Sequence, residues 1–143
     1  MDSHLKQEYF SSTSEETMEI GVIIGSLLKP PCIIALEGTL GAGKTVLTRG
    51  IARAMGVNEW ITSPSYTIIN EYEAEAFPFY HIDTYRLSGN EDFFLAGGEE
   101  MLYGKGICVI EWPEKIIIPA PAIWVKIEIM VDFKRHITVE LPS

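Results

Sequence analysis

An α/β fold, with a central mixed and largely parallel β-sheet flanked by helices, is what this sequence predicts, and three observations predict it. An apolar run at residues 32–37 ends in a glycine-rich turn that opens into a periodic helix at 44–55, the first half of a βαβ unit. Further short apolar runs follow, separated by turn residues, as successive strands would be. The chain has 143 residues with 47% apolar content, enough for one core, so a single domain over 1–143 is expected, with a polar and flexible N-terminus at 1–10.

The elements follow in order. Residues 11–16 supply capping hydroxyls, and Thr13 with Glu16 has capping-box spacing, so the first helix begins near Ser14. Met18, Val22, Ile23 and Leu27 recur at helical spacing as its apolar positions. Lys29-Pro30-Pro31 closes it, because a proline restricts the residue before it. The run at 32–37 reads as a strand buried on both faces. After the turn at 38–43, Val46, Leu47, Ile51, Ala54 and Met55 alternate with Arg49 and Arg53, and Gly56 stands where a helix C-cap belongs. Strand candidates then lie at 66–69, 77–82, 107–110, 123–129 and 136–141, with antiparallel edges in the C-terminal part. The stretch 90–103 lacks clean periodicity and reads as short helix plus loop.

Charge narrows the function classes. Eleven Lys and Arg against 20 Asp and Glu give −9, a surface that repels phosphate backbones and anionic lipid, so neither direct nucleic-acid binding nor a membrane role is expected. Cys32 and Cys108 lie inside apolar runs, as reduced buried thiols do. No basic segment leads into an apolar one at the N-terminus, and no stretch approaches the roughly 18 apolar residues of a membrane span. A soluble, cytoplasmic protein is expected.

Gly38-Thr39-Leu40-Gly41-Ala42-Gly43-Lys44-Thr45 fits G-x-x-x-x-G-K-[ST], after a buried strand and at a helix start. The glycines let the backbone curl, through Ala42, so that successive N–H groups surround a β-phosphate, and the helix N-terminus adds partial positive charge. Lys44 reaches the β/γ oxygens. Thr45 places a hydroxyl on Mg2+, and the first-turn amides of Thr45 and Val46 are donors to phosphate. The pattern arises by chance in a chain of this length about once in two hundred. A P-loop NTPase-like domain using a nucleoside triphosphate and Mg2+ is therefore expected, an ordinary glycine turn capping a helix being the alternative.

Such a loop needs a carboxylate at the end of another buried strand, and two segments compete. Residues 107–110 lead cleanly into Glu111, whereas the run ending at Asp83 is interrupted by Pro78; either acid could serve, or both, or one could merely cap a turn. His81 shares a strand face with Asp83 and is either structural or part of the site. Ser63, Ser65 and Thr67 form a hydroxyl-rich loop where many NTPases keep a γ-phosphate switch, and a plain turn would look the same. Arg86 and Arg135 could neutralise charge on the γ-phosphate or pair with surface acids. Trp112, with Pro113, forms an apolar lip or packs as a partly exposed aromatic.

Taken together, these segments resemble the TsaE family, also called YjeE, small bacterial ATPases of tRNA threonylcarbamoyladenosine modification. The resemblance runs from Glu16-Thr17 through Leu36-Glu37-Gly38, the glycine loop and Thr48-Arg49-Gly50, to Ser63-Pro64-Ser65-Tyr66-Thr67 and Glu71-Tyr72. It continues with Tyr80-His81-Ile82-Asp83-Thr84-Tyr85-Arg86 and Ile110-Glu111-Trp112-Pro113-Glu114, then weakens to Arg135 before an apolar strand. It implies a compact Mg-dependent ATPase in which Thr45 and Glu111 hold magnesium with Asp83 close by, and Lys44, Asp83 and Glu111 carry the chemistry. It also implies that Ser14, Thr17 and Arg135 approach the nucleotide from sides the loop leaves open. Proteins of this kind act on a TsaB and TsaD pair rather than on tRNA, which fits an acidic chain. The chain departs from the family pattern at Thr39, Val46, Ser65 and Thr84, where the family usually has aspartate, a hydroxyl residue, threonine and leucine, and no expected ligand is lost. Residues 90–106 match loosely.

Two other functions share the loop. A small-molecule kinase would close a lid and clamp its acceptor with several arginines, and this chain has only Arg49, Arg53, Arg86 and Arg135, two of them on the loop helix. A nucleotide-gated binding module with little hydrolysis needs nothing beyond the loop and a partner.

Overall fold

The computed structural model describes residues 5–39, 41–62, 69–75, 77–85, 97–119 and 121–142. Its strands are β1 (Leu5–Ser11), β2 (Cys32–Glu37), β3 (Ile69–Glu73), β4 (Pro78–Asp83), β5 (Ile107–Glu111), β6 (Ile123–Ile129) and β7 (Arg135–Leu141). Its α-helices are α1 (Ser14–Ser26), α2 (Lys44–Ala54) and a short α3 (Gly98–Leu102), and Pro113–Lys115 forms one 3-10 turn. All seven strands join one sheet in the order β1-β7-β6-β2-β5-β4-β3. The centre, β6-β2-β5-β4, is parallel, and the pairings of β3, β7 and β1 at the edges are antiparallel.

Parallel strands covered on both faces must be apolar on both. Ile34 and Leu36 of β2 therefore point into one core with α1 and α2, joined by Phe79, Val109, Val125, Ile137 and Val139, while Ile33 points with Ile82, Cys108 and Ile110 into a smaller core under α3 and Ile116. Pro78 is tolerated because it is the first residue of β4. Cys32 and Cys108 are free thiols, pushed up by burial to about 11 and about 12.

Three expectations change. The N-terminus expected as a flexible tail supplies an edge strand: Leu5 to Ser11 pairs in register with Leu141 to Arg135. The core-facing phase of α1 also differs. Thr17, Ile20, Gly21, Ile24 and Gly25 are its buried residues, and the apolar Ile23 and Leu27 are exposed. The reason is the crossing with α2, where a Cβ on Gly21 would lie 2.3 Å from the Leu47 carbonyl and one on Gly50 2.1 Å from the Met18 carbonyl. Backbones in such contact fix the helix rotation through glycine, a residue that adds nothing to an apolar stripe. Finally, the expected run at 66–69 reaches the described residues only at Ile69, where β3 opens, and Ser63, Ser65, Thr67 and Arg86 lie outside the described residues. The cap of α1 follows expectation: Thr13 Oγ1 accepts the Glu16 N–H at 3.1 Å. The Glu16 carboxylate reaches back to the Ser12 N–H at 2.8 Å, one residue earlier than in a reciprocal box.

Candidate functional site

β2, β4 and β5 run in the same direction, so their C-terminal ends meet at one edge of the sheet, and the residues that end them share it. Leu36, Glu111 and Asp83 are register partners across β2, β5 and β4. The turn after β2 carries the glycine loop. Gly41 and Gly43 hold φ of 79° and 107°, a region that side chains disfavour, and Gly43 is the N-cap of α2 with no side-chain cap. A helix start without a side-chain cap turns its first amides toward the space in front of it. That space is a cleft of about 410 Å³ lined by Gly41, Gly43, Lys44, Thr45, Val46, Asp83, Glu111 and Trp112.

Its electrostatics centre on Lys44, which is only 6% exposed. The ammonium lies 3.9 Å from Glu111 Oε1 and 3.8 Å from the centroid of the Trp112 ring, and it makes no hydrogen bond among the described residues. Burial lowers its pKa from the ordinary 10.5, and the charges of Glu111, Asp83 and Glu114 oppose that shift.

The two strand-end acids differ sharply. Glu111 is buried; its Oε2 is hydrogen-bonded to His81 Nε2, and its Oε1 faces Lys44. An ionised carboxylate only accepts, so with Glu111 ionised the ring proton sits on Nε2. His81 Nδ1 is buried without a partner among the described residues. Asp83 is half-buried, and its Oδ1 accepts the Tyr85 N–H at 3.0 Å, closing its own turn. Among the described residues no group of three or more His, Cys, Asp and Glu is arranged as a metal site. A magnesium ion bound with phosphates needs fewer, since it usually takes one or two carboxylates and keeps several waters.

Thr84 is the residue at this edge to which motif reading assigns no role. Its hydroxyl, fully buried, lies 2.9 Å from the Glu111 carbonyl and 2.5 Å from that of Trp112, and its N–H donates to the Glu111 carbonyl at 3.2 Å. It clamps the end of β4 to the end of β5. A hydroxyl residue directly after a strand-end acid was the available signal. Trp112 follows Glu111 in the left-handed region at φ 62°, so the chain turns sharply and the ring lies over Lys44, with Tyr85 tilted against it at 4.8 Å.

The other expected nucleotide residues sit around the loop. Ser14 is exposed in the first turn of α1. Thr17 is buried behind Gly43, and its hydroxyl donates to the Thr13 carbonyl at 3.1 Å and meets Ser11 Oγ at 2.7 Å. Arg135 reaches the loop from outside: its guanidinium donates to the carbonyls of Ala42 at 2.8 Å, Gly41 at 3.4 Å and Phe133 at 2.6 Å. Gly38 lies at the mouth of a neighbouring cleft, where a Cβ would meet Ile127 at 2.8 Å. No helix among the described residues is long and apolar enough to cross a membrane.

Comparison with known proteins gives a consistent result. The family model described as threonylcarbamoyl adenosine biosynthesis protein TsaE matches residues 11–137. The tRNA threonylcarbamoyladenosine biosynthesis protein TsaE of Treponema pallidum (strain Nichols) is 38% identical over 131 residues, covering 90% of this chain and 96% of its own. The Bacillus subtilis (strain 168) protein of the same name is 36% identical over 126 residues, 87% of this chain and 78% of its own. Among solved structures, the crystal structure of YdiB from Bacillus subtilis superposes with a TM-score of 0.78 and 31% identity, covering 100% of this chain and 90% of that one.

Proposed function

Because the chain belongs to the TsaE family of tRNA threonylcarbamoyladenosine biosynthesis proteins, we propose that it binds ATP with magnesium at the glycine loop and hydrolyses it in the service of that modification. The observation that carries the reading is the Lys44 ammonium, buried and, among the described residues, without a hydrogen bond, at the start of a helix that no side chain caps. A buried cation in that state is costly until an anion completes it, and a polyphosphate in the loop does so.

The residues fit both groups. The loop and the first turn of α2 would hold the phosphates, with Lys44 at their terminal oxygens; Thr45 and Glu111 would hold magnesium, with Asp83 beside them. When bound, magnesium supplies neutralisation of charge on the phosphate oxygens. The chain's own residues do the positioning. His81 holds one oxygen of Glu111 and so leaves the other directed at the cleft, the arrangement by which an outer partner orients a ligating carboxylate. Thr84 fixes the level of Glu111 against Asp83. Trp112 covers Lys44 and excludes water from one side of it, which strengthens every charge interaction there.

The partners in this reading are a TsaB and TsaD pair. A chain of net charge −9 suits a protein whose partner, not itself, holds the RNA. The kinase alternative finds no support among the described arginines nearest the loop, since Arg49 donates to the Ile61 carbonyl and Arg135 to those of the loop. Magnesium-dependent ATP hydrolysis by the pure chain, alone and with purified TsaB and TsaD, tests the proposal. The expected outcome is stimulation by the pair and its loss in Lys44→Ala. ATP binding without turnover in either mixture would establish the nucleotide-gated module instead.

A further inference from the structure

Of eleven exposed large apolar side chains among the described residues, four fall within residues 129–133, at the turn between β6 and β7: Ile129, Met130, Val131 and Phe133. Val131 is fully exposed and Phe133 is 81% exposed. The turn is built and braced. Met130 N–H donates to the Lys134 carbonyl at 2.7 Å, Phe133 N–H to the Met130 carbonyl at 3.0 Å, and Lys134 N–H to Asp132 Oδ1 at 3.2 Å. Phe133 nevertheless occupies the left-handed region at φ 66°, where a bulky residue is strained and asparagine or glycine would be at ease. Strain and exposed apolar surface together contribute nothing to folding.

This tip is wired to the glycine loop. The Arg135 guanidinium bonds the Phe133 carbonyl on one side and the Gly41 and Ala42 carbonyls on the other. At the base of the hairpin a second cleft, of about 500 Å³, opens beside Gly38 and Thr39, with Glu37, Glu114 and Glu128 facing a single cation, Lys126. At the tip itself Lys134 is already paired with Asp132 at 3.8 Å.

We infer that the β6–β7 hairpin tip is the docking element for a basic protein partner, seating Val131 and Phe133 in an apolar socket while the acids at its base meet cations on the socket rim, and that Arg135 carries this contact to the glycine loop. The inference rests on the partner reading given above. A surface that holds tRNA is basic, so the partner's chemistry matches an acidic cleft, whereas a second copy of this chain brings another −9 to the contact. Coupling is reciprocal: what the partner does to nucleotide affinity through Arg135, the nucleotide does to partner affinity.

Affinity of the purified TsaB and TsaD pair for wild type and for Val131→Asp/Phe133→Asn, with and without ATP and magnesium, decides it. Asparagine suits the φ of Phe133, so the turn is kept. The double variant is expected to bind the pair about 30-fold more weakly, as loss of an apolar anchor does, with its own ATP affinity within about twofold of wild type. Val131→Asp alone repeats the test at the fully exposed position should the double variant misfold. In Arg135→Gln the pair still binds, and the effect of ATP on that binding, of order tenfold in wild type, disappears. Wild-type binding that survives unchanged in the tip variants overturns the inference alone, as does a tip variant that alters self-association instead. A wild-type chain that does not bind the pair overturns the partner reading and this inference with it.

Discussion

The crossing of α1 on α2 and the sheet edge above it are built on opposite terms. At the crossing, backbones touch through Gly21 and Gly50, and the surrounding Ile20, Ile24, Leu47 and Ile51 are buried apolar side chains. At the edge, six residues before Gly50 on α2, Lys44 is buried with no hydrogen bond among the described residues, His81 Nδ1 has no partner among them, and Gly43 and Trp112 hold left-handed backbone. Unsatisfied groups and strain persist only where the rest of the fold over-determines them, and here they gather where a ligand would relieve them. The crossing supplies the rigidity that the edge spends.

This contrast can be broken by substitution. Lys44→Met should have the largest effect and with two signs: ATP affinity falls at least about 100-fold, near 2.7 kcal/mol, while unfolding free energy rises by about 1 kcal/mol as the buried ammonium goes. Below its lowered pKa, Lys44 is charged in both the folded and unfolded chain, and the cost of burying it is present in full. Between that pKa and 10.5 the folded chain binds fewer protons, so wild-type stability rises with pH and the gap to Lys44→Met closes. Paired urea titrations at neutral and alkaline pH measure it, and a gap that widens with pH refutes the assignment. Gly50→Ala should act with one sign only, losing about 3 kcal/mol because the new methyl meets backbone on α1. A wild-type midpoint in thermal unfolding would mean the crossing is looser than its distances.

His81→Leu sharpens the comparison at the edge. Turnover should fall about tenfold, and the magnesium concentration for half-saturation of nucleotide binding should rise by a similar factor, because Glu111 loses the partner that orients it. His81→Gln, which keeps a donor, should recover part of both, whereas a purely structural histidine would change stability and leave the magnesium dependence alone. Thr84→Val should cost the least, about 1 kcal/mol of stability from the lost hydroxyl bonds. Denaturant unfolding of that variant gives the value directly.

Much of the fold was legible where side chains repeat with one period and face one environment. The apolar runs of β2 and β5 lie at the sheet centre, and the glycine loop advertises itself through residues whose spacing serves backbone geometry. The edge strand β1 was hidden because it alternates the wrong way. Its inward row is Gln7, Tyr9 and Ser11 and its outward row includes Phe10, which is 60% exposed and stacked on His136. The rotation of α1 was hidden for the opposite reason, since glycines decide it and apolar periodicity does not count them. In the site, Lys44, Asp83 and Glu111 were readable as residue types after strands, but the division of labour between the two acids was not. It depends on His81 reaching Glu111 diagonally across the β4–β5 pair, two residues before Asp83, a relation made by register rather than by distance along the chain.

The position of β1 has a consequence for synthesis. Its ladder has one partner, β7, formed by residues 135–141. On leaving the ribosome β1 therefore waits, edge unpaired, for β7, while α1, α2 and the parallel strands β2, β4, β5 and β6 are already available to pack. Until β7 emerges, the nascent chain carries the glycine loop without Arg135 behind it. Bracing of the glycine loop and completion of the sheet thus become late, nearly simultaneous events, and a chain broken off just before residue 135 would lose two strands of the sheet rather than one.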